Sequence, residues 1–560
     1  MRMVGRPGAM VRPQDATMYW LSRRTRNDLF LLYCFAESEL GTDQLRATIA
    51  HRSATIPDLC VRLRPAPRDL AYPTWVPCPF DAEQFVEHRL PQTDWAHLEQ
   101  ALGEVLATGV DAAIHPWRIH VFRGITEAPL PSSGEGALFE DEPADSIRVT
   151  VAVLQMSHAL ADGKRAADLA RALFAPDTEA VESSPQAPAA RPHHRHASDS
   201  GLPVSASGDD AHADRPGDDI GLPSGALGSS HPPRLTRHLE TNRYELFRTA
   251  VEAVRLVSAA AAIPLRMART MAGGVSAFRA QRALGELTEA GELPEAGGGF
   301  APSVVNGPGE VGGHRVRMIV CPAAQLRPSR FSVTVVALTA VSIALERYLE
   351  RRGALPDRLG AQVPMALPAP DPADRRDENI VRRAANTIGG FVRRAPVPRN
   401  NYRSLGVDLC AGEPDPRRRA ERIAADLAAR RTRAIHPLLS VQDRVTASLP
   451  APILRRDVDR YPIDTVPDAL AGHTVVSSVY RGPADLTFGG APVLFTAGFP
   501  ALGAVMHLTH GVHGIGDTVT ISVHADPETM PDLDFYADLL RTALDEVGAR
   551  VRDAGSGPAG

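Results

Sequence analysis

The chain of 560 residues is 44% hydrophobic and 23% charged, a balance typical of soluble globular proteins with room for two or more domains. Its net charge of −5 gives no overall basic field of the kind that attracts nucleic acid, so we expect no nucleic-acid partner. The five cysteines form no CxxC pair, which argues against a disulfide framework and against a structural zinc site.

The sequence indicates neither a secretory signal nor a membrane-spanning helix. The N-terminal residues lack the apolar core of a signal peptide. The longest apolar runs, 256–265 and 333–345, are shorter than the roughly 20 residues that a spanning helix needs. We therefore expect a cytoplasmic protein.

The first predicted domain, residues 1–174, ends in a strand followed by a helix. Alternating apolar residues in SIRVTVAVL predict a strand over 147–154, and apolar residues at helical spacing predict a helix over 163–174. Loops at strand ends are exposed yet held by a rigid sheet, so the strand-to-helix turn is a candidate for an active site.

That turn carries the stretch QMSHALADGK, in which His158, Asp162 and Gly163 form an HxxxDG pattern. A neutral imidazole can remove a proton from a hydroxyl or amine that attacks a carbonyl, an assistance worth about 10²–10⁴-fold. Asp162 is expected to hold the turn, and Gly163 to allow a tight backbone path into the helix. A histidine that only occupies a structural turn is the alternative, and the motif alone leaves both interpretations open.

Two segments separate this domain from the rest of the chain. Residues 175–238 are rich in Pro, Ser, Gly and Asp with almost no aromatics, which predicts a disordered linker. Residues 239–300 contain apolar helical stretches interleaved with arginines. Such a segment suits either a basic amphipathic helix on an anionic membrane surface or a packed helix with extended arginine side chains.

The remaining residues, 301–560, mix strand-like runs such as TVTISVHA with long helical patterns such as PRRRAERIAADLAARRTRA. Strands and helices therefore alternate in both halves, which predicts two α/β lobes. The sequence contains neither a GxxxxGK[ST] phosphate loop nor a GxSxG nucleophile elbow, which excludes P-loop enzymes and the commonest serine hydrolases.

Several separated stretches together resemble the bacterial wax ester synthase/acyl-CoA:diacylglycerol acyltransferase (WS/DGAT) family of the CoA-dependent acyltransferase superfamily. VRPQDATMYWL is similar to the family's opening segment, with Asp15 at its aspartate, and QMSHALADG falls at the HHxxxDG active-site motif. The similarity continues in order through VDAAIHPWRIHVFRG, PSVVNGPGEVGGHRVRM, AANTIGGFVRRAP, VVSSVYRGPADLTFGGAPV and the closing strand and helix.

The resemblance implies a mixed α/β fold of two lobes like those of chloramphenicol acetyltransferase, with an active-site tunnel between them. It implies transfer of a long-chain acyl group from acyl-CoA, a substrate rather than a cofactor, to a hydroxyl of diacylglycerol or a fatty alcohol. His158 is then the general base, and Asn386 is expected to contact substrate by donating a hydrogen bond to the oxyanion. No metal is required, and peripheral contact with a membrane or a lipid droplet is expected because the acceptors reside there.

One departure from the family motif bears on the function. Ser157 replaces the first histidine of the pair, where it either donates a hydrogen bond to substrate or satisfies a backbone group. Two alternatives to the acyltransferase stay open. One is a catalytically inactive paralogue that binds acyl chains, and the other is a condensation or polyketide-associated acyltransferase that takes its acyl group from a carrier protein.

Overall fold

A computed structural model describes most of the chain. The described residues are 9–130, 147–176, 267, 270–271, 273–307, 311–327, 330–368 and 398–552. They fall within a single compact unit of the chain. The predicted linker from residue 177 onward and Asn386 lie outside the described residues, so both remain predictions.

Two six-stranded mixed sheets form the framework of the two lobes. The first sheet contains β1 (Leu29–Ala36), β4 (Phe85–His88), β5 (Trp117–Ile125), β6 (Val149–Met156), β11 (Thr487–Phe488) and β12 (Ala491–Phe499). A small two-stranded sheet contains β2 (Val61–Arg64) and β3 (Thr74–Pro77). The second sheet contains β7 (Arg315–Pro322), β8 (Gly360–Ala366), β9 (Tyr402–Asp408), β10 (Thr474–Tyr480), β13 (Leu508–Ile515) and β14 (Thr518–Ala525).

Strand β6 occupies the middle of the first sheet, whose order is β11-β12-β1-β6-β5-β4. It pairs antiparallel with β1 and β5, and Leu154 lies opposite Leu31 on one side and Ile119 on the other. Every residue of β6 is buried because both faces of the sheet are covered. Leu154 packs in one core cluster and Val153 in another, so the apolar alternation divides the strand between two cores.

The second sheet has the order β7-β14-β13-β10-β8-β9, which leaves β9 at one edge. Strand β8 pairs antiparallel with β9 and parallel with β10, so the sheet mixes both orientations. Its core is largely apolar and is covered by helices. The structure confirms the predicted α/β fold class with two lobes.

The helices lie against these sheets. They are α1 (Pro13–Leu21), α2 (Thr42–Ala54), α3 (Trp95–Leu106), α4 (Gly163–Leu173), α5 (273–289), α6 (Ala323–Leu326), α7 (Val333–Arg351), α8 (Pro416–Ala434), α9 (Pro437–Ser448), α10 (Ala451–Arg460) and α11 (Leu533–Arg552), with 3₁₀ turns at Pro67–Asp69 and Ala82–Gln84. Helices α7, α8 and α11 pack on one another over the second sheet. Within the described ranges, no helix combines the length and apolar character needed to cross a membrane.

The C-terminal half of the chain contributes two strands to the first lobe. Strand β12 pairs antiparallel with β1, placing Phe499 opposite Phe30 and Thr496 opposite Tyr33. Residues 487–499 therefore belong to the first sheet, although the predicted division assigned all of 301–560 to the second lobe. Main-chain hydrogen bonds to β1 thus hold this later part of the chain in the first sheet.

Candidate functional site

The loop that carries His158 begins where β6 ends and finishes at the first turn of α4. Asp162 caps the helix, since its Oδ1 accepts a hydrogen bond from the Arg165 amide at 2.9 Å. Such a cap stabilises a helix start by about 1 kcal/mol. The other oxygen, Oδ2, accepts from the Asn401 amide at 3.2 Å, and the Asp162 amide donates to the Arg399 carbonyl at 3.2 Å. The loop is thus attached to a segment of the second lobe.

Asn400, which precedes β9, makes the closest polar contact of the His158 side chain. The Oδ1 atom of Asn400 lies 2.7 Å from Nδ1 of His158, and its Nδ2 group donates to the His158 carbonyl at 2.7 Å. The same Nδ2 group donates to Oδ1 of Asp15 at 3.1 Å. One asparagine therefore connects the first helix, the His158 loop and the edge strand of the second sheet.

These contacts determine the tautomer of His158. The amide nitrogen of Asn400 faces two acceptors, so its oxygen is the atom that faces the imidazole. That oxygen can only accept, which requires the proton of the neutral imidazole to be on Nδ1. The lone pair is then on Nε2, which has no hydrogen-bond partner in the described part of the chain. Within the described residues, His158 thus leaves its unprotonated nitrogen without a hydrogen-bond partner.

The surroundings of His158 favour its neutral form. Burial lowers the pKa of the imidazole below its ordinary value of 6.5, and the hydrogen bond to Asn400 opposes part of that effect. The side chain is nevertheless partly exposed at its surface. A base that is neutral at pH 7 and still reachable fits proton transfer from a hydroxyl.

Asp15 holds Asn400 in place from the first lobe. Its carboxylate is 2% exposed and accepts the amides of Arg399 and Asn400 at 2.9–3.0 Å, besides the Asn400 side chain. Burial raises the pKa of this carboxyl, and the hydrogen bonds from Arg399 and Asn400 oppose the rise. Asp15 was identified in the sequence by its resemblance to the family's opening segment. In the structure Asp15 is hydrogen-bonded to Asn400, which in turn contacts His158.

Arg399 anchors the same segment with a buried ion pair. Its Nη2 donates to Oδ1 of Asp58 at 2.8 Å, and its Nη1 donates to the Leu160 carbonyl at 3.1 Å. The guanidinium also lies 4.3 Å from the ring centre of Trp75. Burial lowers the pKa of Arg399 to about 10, which leaves it charged at neutral pH. Asp58 makes a second ion pair with Arg165 of α4.

Two of the predicted site residues serve the loop itself. Ser157 is fully buried, donates its amide to the Pro116 carbonyl at 2.8 Å and accepts the Ala159 amide on Oγ at 3.3 Å. Its hydroxyl thus faces the loop backbone rather than an open surface. Gly163 has no positive φ, and a Cβ there would lie an ordinary 3.8 Å from Val479. The turn into α4 therefore does not need the conformational freedom for which glycine was predicted.

Sequence reasoning missed the segment Arg399-Asn400-Asn401-Tyr402. It chose Asn386, the asparagine of ANTIGGF, which lies outside the described residues, so its oxyanion role stays a prediction. A signal for Asn400 was present, because RNNYRSLGVD also has an asparagine directly before a strand-like run.

Within the described ranges, one group of three side chains, Asp81, Glu83 and His115, brings potential ligand atoms within 4.8 Å of one another. Asp81 and Glu83 are exposed, and exposed acidic groups of this kind are common without a metal ion.

Comparisons with known proteins concern the family and the fold of the chain. Residues 400–548 match the sequence model of the WS/DGAT C-terminal domain, so the matched segment of this chain begins at Asn400. No match was found among curated protein sequences.

Among solved structures, the wax ester synthase/diacylglycerol acyltransferase from Marinobacter aquaeolei VT8 is similar, with a TM-score of 0.53, 16% identity and coverage of 97% of this chain and 99% of that chain. A variant starter condensation domain of rhizomide synthetase RzmA, in complex with C8-CoA and Leu-SNAC, aligns at 11% identity with a TM-score of 0.48, covering 98% and 95%. The first condensation domain of the CDA synthetase aligns at 12% identity with a TM-score of 0.47, covering 98% and 97%.

At 16% identity the similarity to the Marinobacter structure shows a shared fold, whereas the family match concerns the sequence of residues 400–548. The resemblance predicted from the sequence is confirmed: residues 400–548 match the C-terminal domain of the wax ester synthase/diacylglycerol acyltransferase family, and the chain has the fold of the Marinobacter enzyme.

Proposed function

We propose that the protein is an O-acyltransferase that moves a long-chain acyl group from acyl-CoA to the hydroxyl of diacylglycerol or a fatty alcohol. The observation that carries the proposal is His158, whose Nδ1 contacts Asn400 at 2.7 Å and whose Nε2 has no partner within the described residues. The acceptors follow from the name of the Marinobacter relative, a wax ester synthase/diacylglycerol acyltransferase.

The proposed reaction is direct transfer without a covalent acyl-enzyme. Nε2 of His158 takes the proton of the acceptor hydroxyl while the hydroxyl oxygen forms a bond to the thioester carbonyl carbon, and the carbonyl electron pair moves to oxygen. The tetrahedral oxyanion then collapses and the carbon–sulfur bond breaks. The CoA thiolate receives the proton from Nε2, which returns His158 to its neutral form.

The roles of the neighbouring residues follow from their contacts. Asn400 orients the imidazole and fixes its tautomer, while Asp15 and Arg399 fix Asn400. Asp162 holds the loop by capping α4 and accepting the Asn401 amide, and its negative charge raises the pKa of His158 slightly against the effect of burial.

The experiment that tests the proposal is release of free thiol from palmitoyl-CoA by the full chain. Release is measured with dipalmitoylglycerol, with hexadecanol and without acceptor. We expect release that depends on an acceptor, and the acceptor that works distinguishes triacylglycerol from wax ester formation. Tight binding of palmitoyl-CoA without release in any of the three mixtures would contradict the proposal and favour an acyl-binding protein.

Contact with a membrane surface is part of the proposal, because both acceptors are lipids. Helix α5 and the residues before it expose Met267, Met271, Val275 and Phe278 on one face, with Met271 71% and Phe278 72% exposed. The opposite face buries Ala280 and Leu284 against the body. A stripe of this kind fits an interfacial helix, and Arg279 and Arg282 flank it.

We therefore expect Phe278→Glu to lower co-sedimentation with vesicles of phosphatidylcholine and phosphatidylglycerol by about 10–100-fold, since burial of a phenylalanine side chain contributes about 1.5–3 kcal/mol. Ile114→Glu is the matched control, because Ile114 is 59% exposed and is not part of this stripe. Equal binding of wild type and the Phe278 variant would exclude this face as the membrane contact.

A further inference from the structure

The phenol of Tyr402 lies beside the imidazole of His158. Tyr402 is the first residue of β9, two residues after Asn400, and its ring centre is 5.7 Å from that of His158 with an angle of 35° between the planes. Both residues are partly exposed. The tyrosine hydroxyl has no hydrogen-bond partner among the described residues, whereas the side chains of the two preceding residues, Asn400 and Asn401, are both hydrogen-bonded.

Two properties make this hydroxyl a suitable donor. Burial raises the pKa of Tyr402 above its ordinary value of 10, and the nearby Asp162 carboxylate adds to the rise, so the phenol keeps its proton at neutral pH. A polar group that is partly buried without a partner costs free energy unless something binds it. In the acyltransfer reaction, the atom that needs a donor close to His158 is the carbonyl oxygen as it becomes negatively charged.

We propose that Tyr402 is a further catalytic residue, whose O–H donates a hydrogen bond to the tetrahedral oxyanion formed when the acceptor alkoxide attacks the thioester. The inference rests on the proposed acyl transfer and extends it. As the carbonyl electron pair moves to oxygen, the phenol O–H strengthens its hydrogen bond to that oxygen without giving up its proton. When the carbon–sulfur bond breaks, the carbonyl reforms and the hydrogen bond weakens.

The competing explanation is that Tyr402 only packs its ring against His158. Tyr402→Phe separates the two, because it keeps the ring and removes the hydroxyl. We expect the kcat for CoA release to fall by about 10²–10³-fold, the usual effect of removing one oxyanion donor, with KM changed little and the thermal midpoint unchanged. Tyr461→Phe is the matched control, since Tyr461 is 64% exposed and lies after α10, away from His158.

The experiment includes His158→Ala and Asn386→Ala beside these variants. Wild-type kcat in Tyr402→Phe together with an inactive His158→Ala would overturn this inference and leave the proposed function intact. A large loss in Asn386→Ala with none in Tyr402→Phe would assign the oxyanion contact to Asn386 instead. Absence of acceptor-dependent release by the wild type would overturn the proposed function and this inference with it.

Discussion

Replacing His158 with alanine is expected to lower acceptor-dependent CoA release by two orders of magnitude or more, within the about 10²–10⁴-fold range of general-base assistance. The imidazole is the group in the described site whose free nitrogen can take the hydroxyl proton and later return it to the thiolate. Without it, both proton transfers depend on water. The effect should therefore appear in kcat and in kcat/KM together.

The pH dependence of the wild type gives a second readout of the same base. His158 must be neutral to accept a proton, and burial lowers its pKa below 6.5. The acid limb of the activity profile should consequently be centred below pH 6.5, where the imidazole becomes protonated. An acid limb centred above pH 6.5 would contradict the assigned environment of His158.

His51→Ala is a matched control for the substitution, because His51 is an exposed histidine on α2. The control should retain wild-type release. Binding of palmitoyl-CoA by the His158 variant, measured by titration, verifies that the variant still folds and recognises its donor. If the His158 variant released CoA at the wild-type rate, the histidine would be a structural residue of the turn.

The apolar spacing of consecutive residues predicted those parts of the site that follow one another in the sequence. The strand β6, the loop with His158 and Asp162, and the helix α4 follow one another directly, and their apolar periodicities differ clearly. The run TVTISVHA at 518–525 became strand β14 with those bounds. Such elements are specified by alternation and helical spacing, which are properties of a few consecutive residues.

The spacing of apolar residues cannot predict which segments far apart in the sequence come into contact. Asn400 is separated from His158 by 242 residues, and a preference for Asn400 over Asn386 depends on where the edge strand of the second sheet meets the loop. The insertion of β12 next to β1 in the first sheet is a similar case, because its sequence would suit a buried strand in either sheet. Pattern identifies a strand, whereas its neighbours are determined by the packing of the whole chain.

The second large effect concerns Asn400, and we expect Asn400→Ala to lower kcat by about 10–100-fold, a part of the assistance that a correctly oriented base provides. The alanine removes the acceptor of the Nδ1 proton, so the imidazole can rotate and adopt the other tautomer. It also removes the donor to the His158 carbonyl, which loosens the loop.

The pH profile distinguishes this positioning role from a loss of folding. The hydrogen bond to Asn400 raises the pKa of His158, so its removal should lower that pKa further and move the acid limb of kcat/KM to lower pH. Asn401→Ala is the adjacent control, because the Asn401 side chain donates to the carbonyls of Leu367 and Pro368 and does not touch the imidazole. If the Asn400 variant had a reduced kcat but an unshifted acid limb, Asn400 would only support the loop. A shifted acid limb would show that Asn400 acts on the imidazole, because general loosening of the fold does not selectively change the titration of one buried histidine.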